Sequence, residues 1–169
     1  MTPEEDLRNS FSALREGKVI LYPTDTIWGL GCDATNTGAV SRIFEIKRRS
    51  DSKSLILLVN SEAMLERYVK EIPEAASQIL SVTDDPITII YPAGKNLASG
   101  ITAEDGSVGI RITSDPFCSE LISRLRRPLV STSANISGEP APSHFSDISA
   151  EIISAADYIV WHRREDRRK

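Results

Sequence analysis

The 169-residue sequence is short of most residues that lend a protein chemistry or rigidity from outside its core. It contains two cysteines, Cys32 and Cys118, and two histidines, His144 and His162, all far apart and without ligand spacing. Two lone thiols exclude a disulfide scaffold, fit a reducing compartment and leave no zinc pattern, so no metal site is expected. Aromatic residues are 6% of the chain, and no apolar run approaches the ~20 residues that span a bilayer. The opening "MTPEEDLRNS" is too acidic and polar for a signal peptide. There is no basic excess: the net charge of -4 argues against a surface that grips nucleic acid throughout, though a local basic groove stays open. A Walker-type glycine loop, a GxGxxG turn after a strand and a serine–histidine nucleophile elbow are all missing. If ATP binds, cationic side chains must replace the backbone amides of a phosphate loop. These absences predict a soluble, cytoplasmic protein with no membrane partner.

What is present reads as one mixed α/β domain over residues 1–169. Thr2, Pro3 and Glu5 form a capping box before Leu7, Phe11 and Leu14, and Gly17 closes that helix. "KVILY", "SLILLV", "ITIIYP", "SVGIRIT", "PLVSTSA" and "YIVWH" read as strands. Helical patterns fall between them, from Thr37, around Leu65–Val69, over Pro73–Leu80, and after Ser114-Asp115-Pro116. A last helix precedes "YIVWH". Several connections are too short for a crossover helix, so the sheet need not be purely parallel.

Polar residues sit where a core does not call for them. "YPTDTIWGLGCDA" follows the first strand with two threonines around an aspartate. Lys47, Arg49 and Lys53 crowd "IKRRSDSKS"; helix-end charges explain Lys47, but not Lys53 beside a buried strand. Arg111 lies mid-strand opposite three aliphatic residues, so it pairs either with a carboxylate of the protein or with an anionic ligand. In "PLVSTSAN", Ser131 and Ser133 share a face with Leu129, which suits either the wall of a polar ligand site or a strand edge with capping hydroxyls.

Together "YPTDTIWGLGCDA", "KRRSDSKSLILLV", "SVGIRIT" and "RPLVSTSANISGEPAP" resemble the YrdC family, the threonylcarbamoyl-AMP synthases, in order from about Val19 to about Pro142. The resemblance implies a strongly twisted mixed sheet flanked by helices, with a basic concave cavity. It implies that L-threonine, bicarbonate and ATP give threonylcarbamoyl-adenylate and pyrophosphate, with Mg²⁺ carried by the ATP phosphates. The product then serves tRNA modification, directly or through downstream transfer proteins, from a monomer or homodimer. By match to the motifs, Thr26, Arg111 and Ser131 would hold threonine, the glycines after Trp28 letting the loop fold over it. Lys47 and Arg49 would be catalytic, and Arg49, Lys53, Ser107, Ser133 and Asn135 would bind ATP.

The chain departs from the family pattern at Ser50, Ser54 and Asp85-Pro86, where proline, proline and glycine–proline are usual. It also reaches "RREDRRK" without the proline–serine stretch that many members carry after the last strand, so either the sequence continues or the site is more open. Two other readings are a paralogue that has lost the synthase activity and a non-catalytic module for double-stranded RNA or tRNA. The latter would use a basic path through Arg124, Arg126, Arg127 and the residues from Arg163 to Lys169.

Overall fold

The first helix forms as its capping box requires. Thr2 accepts from the amide of Glu5 at 3.1 Å, and the Glu5 carboxylate accepts from the Thr2 amide at 3.0 Å. Helix α1 (Pro3–Arg15) buries Leu7, Ala13 and Leu14 and ends before Gly17, whose φ of 76° few other residues adopt. The computed structural model describes residues 1–48 and 55–166.

Strand β1 (Ile20–Tyr22) follows, then β2 (Gly29–Gly31), α2 (Thr37–Lys47), β3 (Ile56–Val59), α3 (Glu62–Glu66) and α4 (Glu74–Val82). Next come β4 (Thr88–Tyr91), β5 (Val108–Ile112), α5 (Pro116–Leu125), β6 (Leu129–Ser133), α6 (Ala150–Ala155) and β7 (Tyr158–Ile159). Among the described residues the seven strands form one sheet in the order β4-β5-β3-β6-β2-β1-β7. Strands β3 and β5 run parallel, as do β1 and β7, and the other neighbours are antiparallel. The sheet is thus mixed, and helices flank it as the alternating pattern predicts.

Helix α5 starts at Asp115, whose carboxylate accepts from the Cys118 amide at 3.1 Å, with Pro116 in its first turn. It buries Cys118, Leu121, Ile122 and Leu125 and packs against α1 and β3. Each fully buried leucine or isoleucine there contributes about 1.5–3 kcal/mol by leaving water. Among the described residues, no helix is long and apolar enough to cross a membrane.

Strand β2 is where the structure departs from expectation. The sequence pattern makes "GLG" part of a flexible loop, yet Gly29 and Gly31 pair in register with β1 on one side and Ser133 and Thr132 face Gly29 and Leu30 on the other. A methyl group on Gly31 would lie 2.4 Å from the Val130 carbonyl oxygen and 2.5 Å from the Tyr22 ring. These glycines admit a close approach inside the sheet; they are not hinges of a loop.

Candidate active site

The segment between β1 and β2 is held by its own hydroxyls. Thr24 is buried; its Oγ1 donates to the Ile27 carbonyl at 2.7 Å and accepts from the Thr26 amide at 3.1 Å. The Thr24 and Thr26 hydroxyls are also 3.1 Å apart. These bonds fold 23–28 into a compact turn that presents Asp25 and Thr26 to the sheet.

There they meet β5. Arg111 Nη2 lies 2.8 Å from Asp25 Oδ1, with side chains only 8% and 11% exposed. The same nitrogen is 3.5 Å from Thr26 Oγ1, and Thr113 donates to Asp25 Oδ2 at 3.1 Å. The ion pair lies off the hydrogen-bond direction, and among the described residues Asp25 Oδ1 and Arg111 Nε are both buried without a hydrogen-bond partner. Of the two readings of Arg111, the structure shows the carboxylate and leaves an N–H to spare. A buried guanidinium donor without an acceptor is what an incoming carboxylate satisfies.

A second group lies two strands from Arg111, at the end of β6. Lys47, the last residue of α2, is 2% exposed. Its Nζ donates to Ser133 O at 2.8 Å, Asn135 O at 2.9 Å and Asn135 Oδ1 at 3.1 Å. The Ser133 hydroxyl donates to Asn135 Oδ1 at 2.5 Å, and Asn135 Nδ2 donates to Glu139 O at 2.5 Å. The Ser137 amide donates back to Lys47 O at 3.0 Å. Lys47 is therefore a buried cation solvated by the turn after β6, its three N–H bonds directed at that turn.

The sheet brings the two groups together. Gly29, three residues after Thr26, pairs with Ser133, while Arg111 pairs with Leu58, itself opposite Leu129. Ser131 lies on β6 between those rows and approaches the bare α-carbon of Gly29. The register thus puts Arg111, Ser131 and Ser133 on one face of the central strands, with Thr26 beside Arg111 and with Lys47 and Asn135 bonded at Ser133. Ser107 does not join them directly: it stands in the turn before β5, bonded to Asp105 and Ala103. Arg49 and Lys53 lie outside the described residues.

Three functional contacts escape a sequence reading. Asp25 reads as a turn aspartate but is the partner of Arg111. Cys118 Sγ donates to Pro23 O at 3.3 Å, which fixes the start of the turn. Arg163, in the charged end of the chain, reaches Thr24 O at 3.0 Å. Burial pushes both thiols well above the usual cysteine range, with Asp33 adding to the effect at Cys32 and Asp115 at Cys118. Neither is then a thiolate nucleophile near neutral pH. Among the described residues, no three His, Cys, Asp or Glu side chains are grouped to hold a metal ion.

Three arginines of the basic path of the RNA-binding reading are committed to internal pairs, and its residues 167–169 lie outside the described residues. Arg124 binds Glu4 and Glu120, Arg127 binds Asp33, and Arg163 binds Asp115 and Asp166.

The Sua5/YciO/YrdC family model, whose description is "Telomere recombination", matches residues 12–169. The threonylcarbamoyl-AMP synthase of Vibrio cholerae is 39% identical over 140 residues, which is 81% of this chain and 74% of the relative. That of Pseudoalteromonas translucida is 34% identical over 163 residues, 95% of this chain and 87% of its own. The crystal structure of P. abyssi Sua5 complexed with L-threonine aligns with a TM-score of 0.85 at 32% identity, over 94% of this chain. This chain spans 47% of the length of that protein.

Proposed function

The chain belongs to the Sua5/YciO/YrdC family, and from that premise we propose that it is a threonylcarbamoyl-AMP synthase, converting L-threonine, bicarbonate and ATP to threonylcarbamoyl-AMP and pyrophosphate. The observation that carries this reading is the buried Arg111, with a spare Nε–H among the described residues and its Nη2 beside Thr26, two strands from the Lys47–Ser133–Asn135 cluster.

The roles follow from the chemistry of each group. Arg111 binds the threonine carboxylate through its free N–H, and Thr26 and Ser131 bind the polar end of the amino acid. The threonine amine and bicarbonate give a carbamate with loss of water. A carbamate oxygen then attacks the α-phosphorus of ATP, the bond to the bridging oxygen breaks, and pyrophosphate leaves. Negative charge accumulates on the phosphoryl oxygens, so a fixed cation field is the main aid a protein can give. Lys47 supplies part of that field from beneath the turn, while the exposed side of that turn, with Ser133 and Asn135, meets the nucleotide. Arg49, Lys53 and Ser107 complete the ATP side in this reading. Mg²⁺ arrives with ATP, held by phosphate oxygens and water. The carbamate and the mixed anhydride are labile in water, which favours a site walled by the sheet. The product serves tRNA modification in the cytoplasm.

The test is pyrophosphate release from ATP, Mg²⁺ and bicarbonate, with L-threonine, with L-serine and with neither. Release that depends on threonine and is weaker with serine is the expected outcome. No threonine-dependent release from a sample folded by circular dichroism overturns the assignment.

A further inference from the structure

We propose that Arg163 is a positioning residue for the amino-acid side of the site, a clamp that holds the 23–28 turn against helix α5. The inference deepens the synthase reading and rests on it for its kinetic readout alone. One guanidinium spans three partners: Nη2 donates to Thr24 O at 3.0 Å, Nη1 to Asp115 Oδ1 at 2.8 Å, and Nε to Asp166 Oδ2 at 2.9 Å. Thr24 is the residue whose hydroxyl orders Thr26, and Asp115 caps the helix that carries Cys118, the donor to Pro23 O. Arg163 thus ties the backbone of the turn to the element that already holds its first residue.

The arginine is itself held in place. It has a φ of 66°, a conformation that residues other than glycine adopt only where the surroundings impose it. The imposing group is Asp6 of α1, a fully buried carboxylate that accepts from the Tyr158 hydroxyl at 2.5 Å, the Trp161 amide at 3.0 Å, and the His162 amide and Nδ1 at 3.0 and 2.7 Å. Burial pushes the Asp6 carboxyl up, but the bonds from Tyr158 and His162 outweigh it and hold it below the usual range. Residues 158–162 are therefore fixed to α1, and the next residue along reaches the turn. Arg163 and Asp166 line one small cavity with Thr24, Thr26, Ile27 and Trp28, so the clamp also closes the back of the turn.

The test separates the clamp from the reaction. Trp28 is 4% exposed against Phe145, whereas the only other tryptophan, Trp161, is 55% exposed. In a Trp161→Phe background, Trp28 alone reports the packing of the turn. Adding Arg163→Met is expected to raise acrylamide quenching of Trp28 about twofold or more. It should also raise KM for L-threonine about tenfold, the low end for losing a charge-assisted hydrogen bond, with KM for ATP nearly unchanged. Arg163→Lys, which cannot span Thr24 O and Asp115 together, is expected to fall between the two and keeps the test open if the methionine variant fails to fold. Quenching that stays at the parent value in both variants overturns the clamp, as does a rise in KM for ATP equal to that for threonine. Increased quenching in the Arg163 variants, when the parent with Arg163 intact releases no pyrophosphate either, supports the clamp and sinks the synthase reading instead.

Discussion

In an Arg111→Met variant, kcat/KM for L-threonine is expected to fall by about three orders of magnitude, and the melting temperature by on the order of 10 °C. The first figure corresponds to about 4 kcal/mol, within the range for removing one partner of a buried, hydrogen-bonded charge pair. The second follows because Arg111→Met strips Asp25 of its cation while leaving the carboxylate buried, with the Thr113 hydroxyl as its remaining bond among the described residues. An uncompensated buried charge costs about 3–5 kcal/mol, and each kcal/mol moves the midpoint of a protein this size by about 2–4 °C. The two effects part company in the double variant Asp25→Asn/Arg111→Met. Removing both charges restores most of the melting temperature, while activity stays low because the threonine carboxylate still lacks its donor. Activity that returns with stability would mean that Arg111 serves the fold and not the substrate. Thermal unfolding and steady-state pyrophosphate release, on the parent, the two single variants Arg111→Met and Asp25→Asn, and the double variant, decide the matter.

Lys47→Met is expected to be the second large lesion, with a different signature. The ammonium is enclosed by Ser133 O, Asn135 O and Asn135 Oδ1, and methionine leaves these oxygens facing an apolar chain. At about 1–3 kcal/mol for each acceptor left unsatisfied, and with part of the turn free to relax, a loss of about 2–4 kcal/mol is expected by urea unfolding. Activity should fall through KM for ATP more than through KM for threonine, because in the proposed synthase reading the turn meets the nucleotide. Asn135→Ala, which keeps the lysine but removes the side chain that Lys47 and Ser133 share, should reproduce that bias. If Lys47→Met lowers kcat while Asn135→Ala is silent, the ammonium acts on the phosphates directly and its bonds to the turn are exchanged during the reaction.

The legible parts of the fold were those fixed by neighbours in sequence. The Thr2–Glu5 box, the Asp115 cap with Pro116 behind it, and Gly17 past the first helix need partners only a few residues away, and each is where the pattern placed it. Arg111 was legible for another reason: an arginine facing away from three aliphatic residues has to find an anion, whatever the fold. Strand β2 was not legible, because glycine there answers to Val130 O, about a hundred residues on, and to the Tyr22 ring. Asp6 looked like one of three acids in a first helical turn, and its role emerges only when residues 158–162 arrive beside it. Arg163 read as part of a charged end that could extend a basic path, for the same reason. Local rules locate elements; they do not say which distant carbonyl a side chain will meet.

That distance also sets an order of events for a chain being made. Strand β1 pairs with β7, the Val19 amide bonds to Asp157 over a separation of 138 residues, and Thr24 O waits for Arg163 across 139. At about 5–20 residues per second, the first strand precedes its last neighbour by on the order of ten seconds. Through that interval the outer edge of β1 is an open row of amides and carbonyls, the kind of edge that pairs with other chains. The amino-acid side of the site is then among the last parts to be completed, although its turn is among the first segments to leave the ribosome. Proteolysis should find β1 sensitive in ribosome-bound chains arrested at Ala156 and protected in the released protein; protection in both would show that β7 is dispensable to β1.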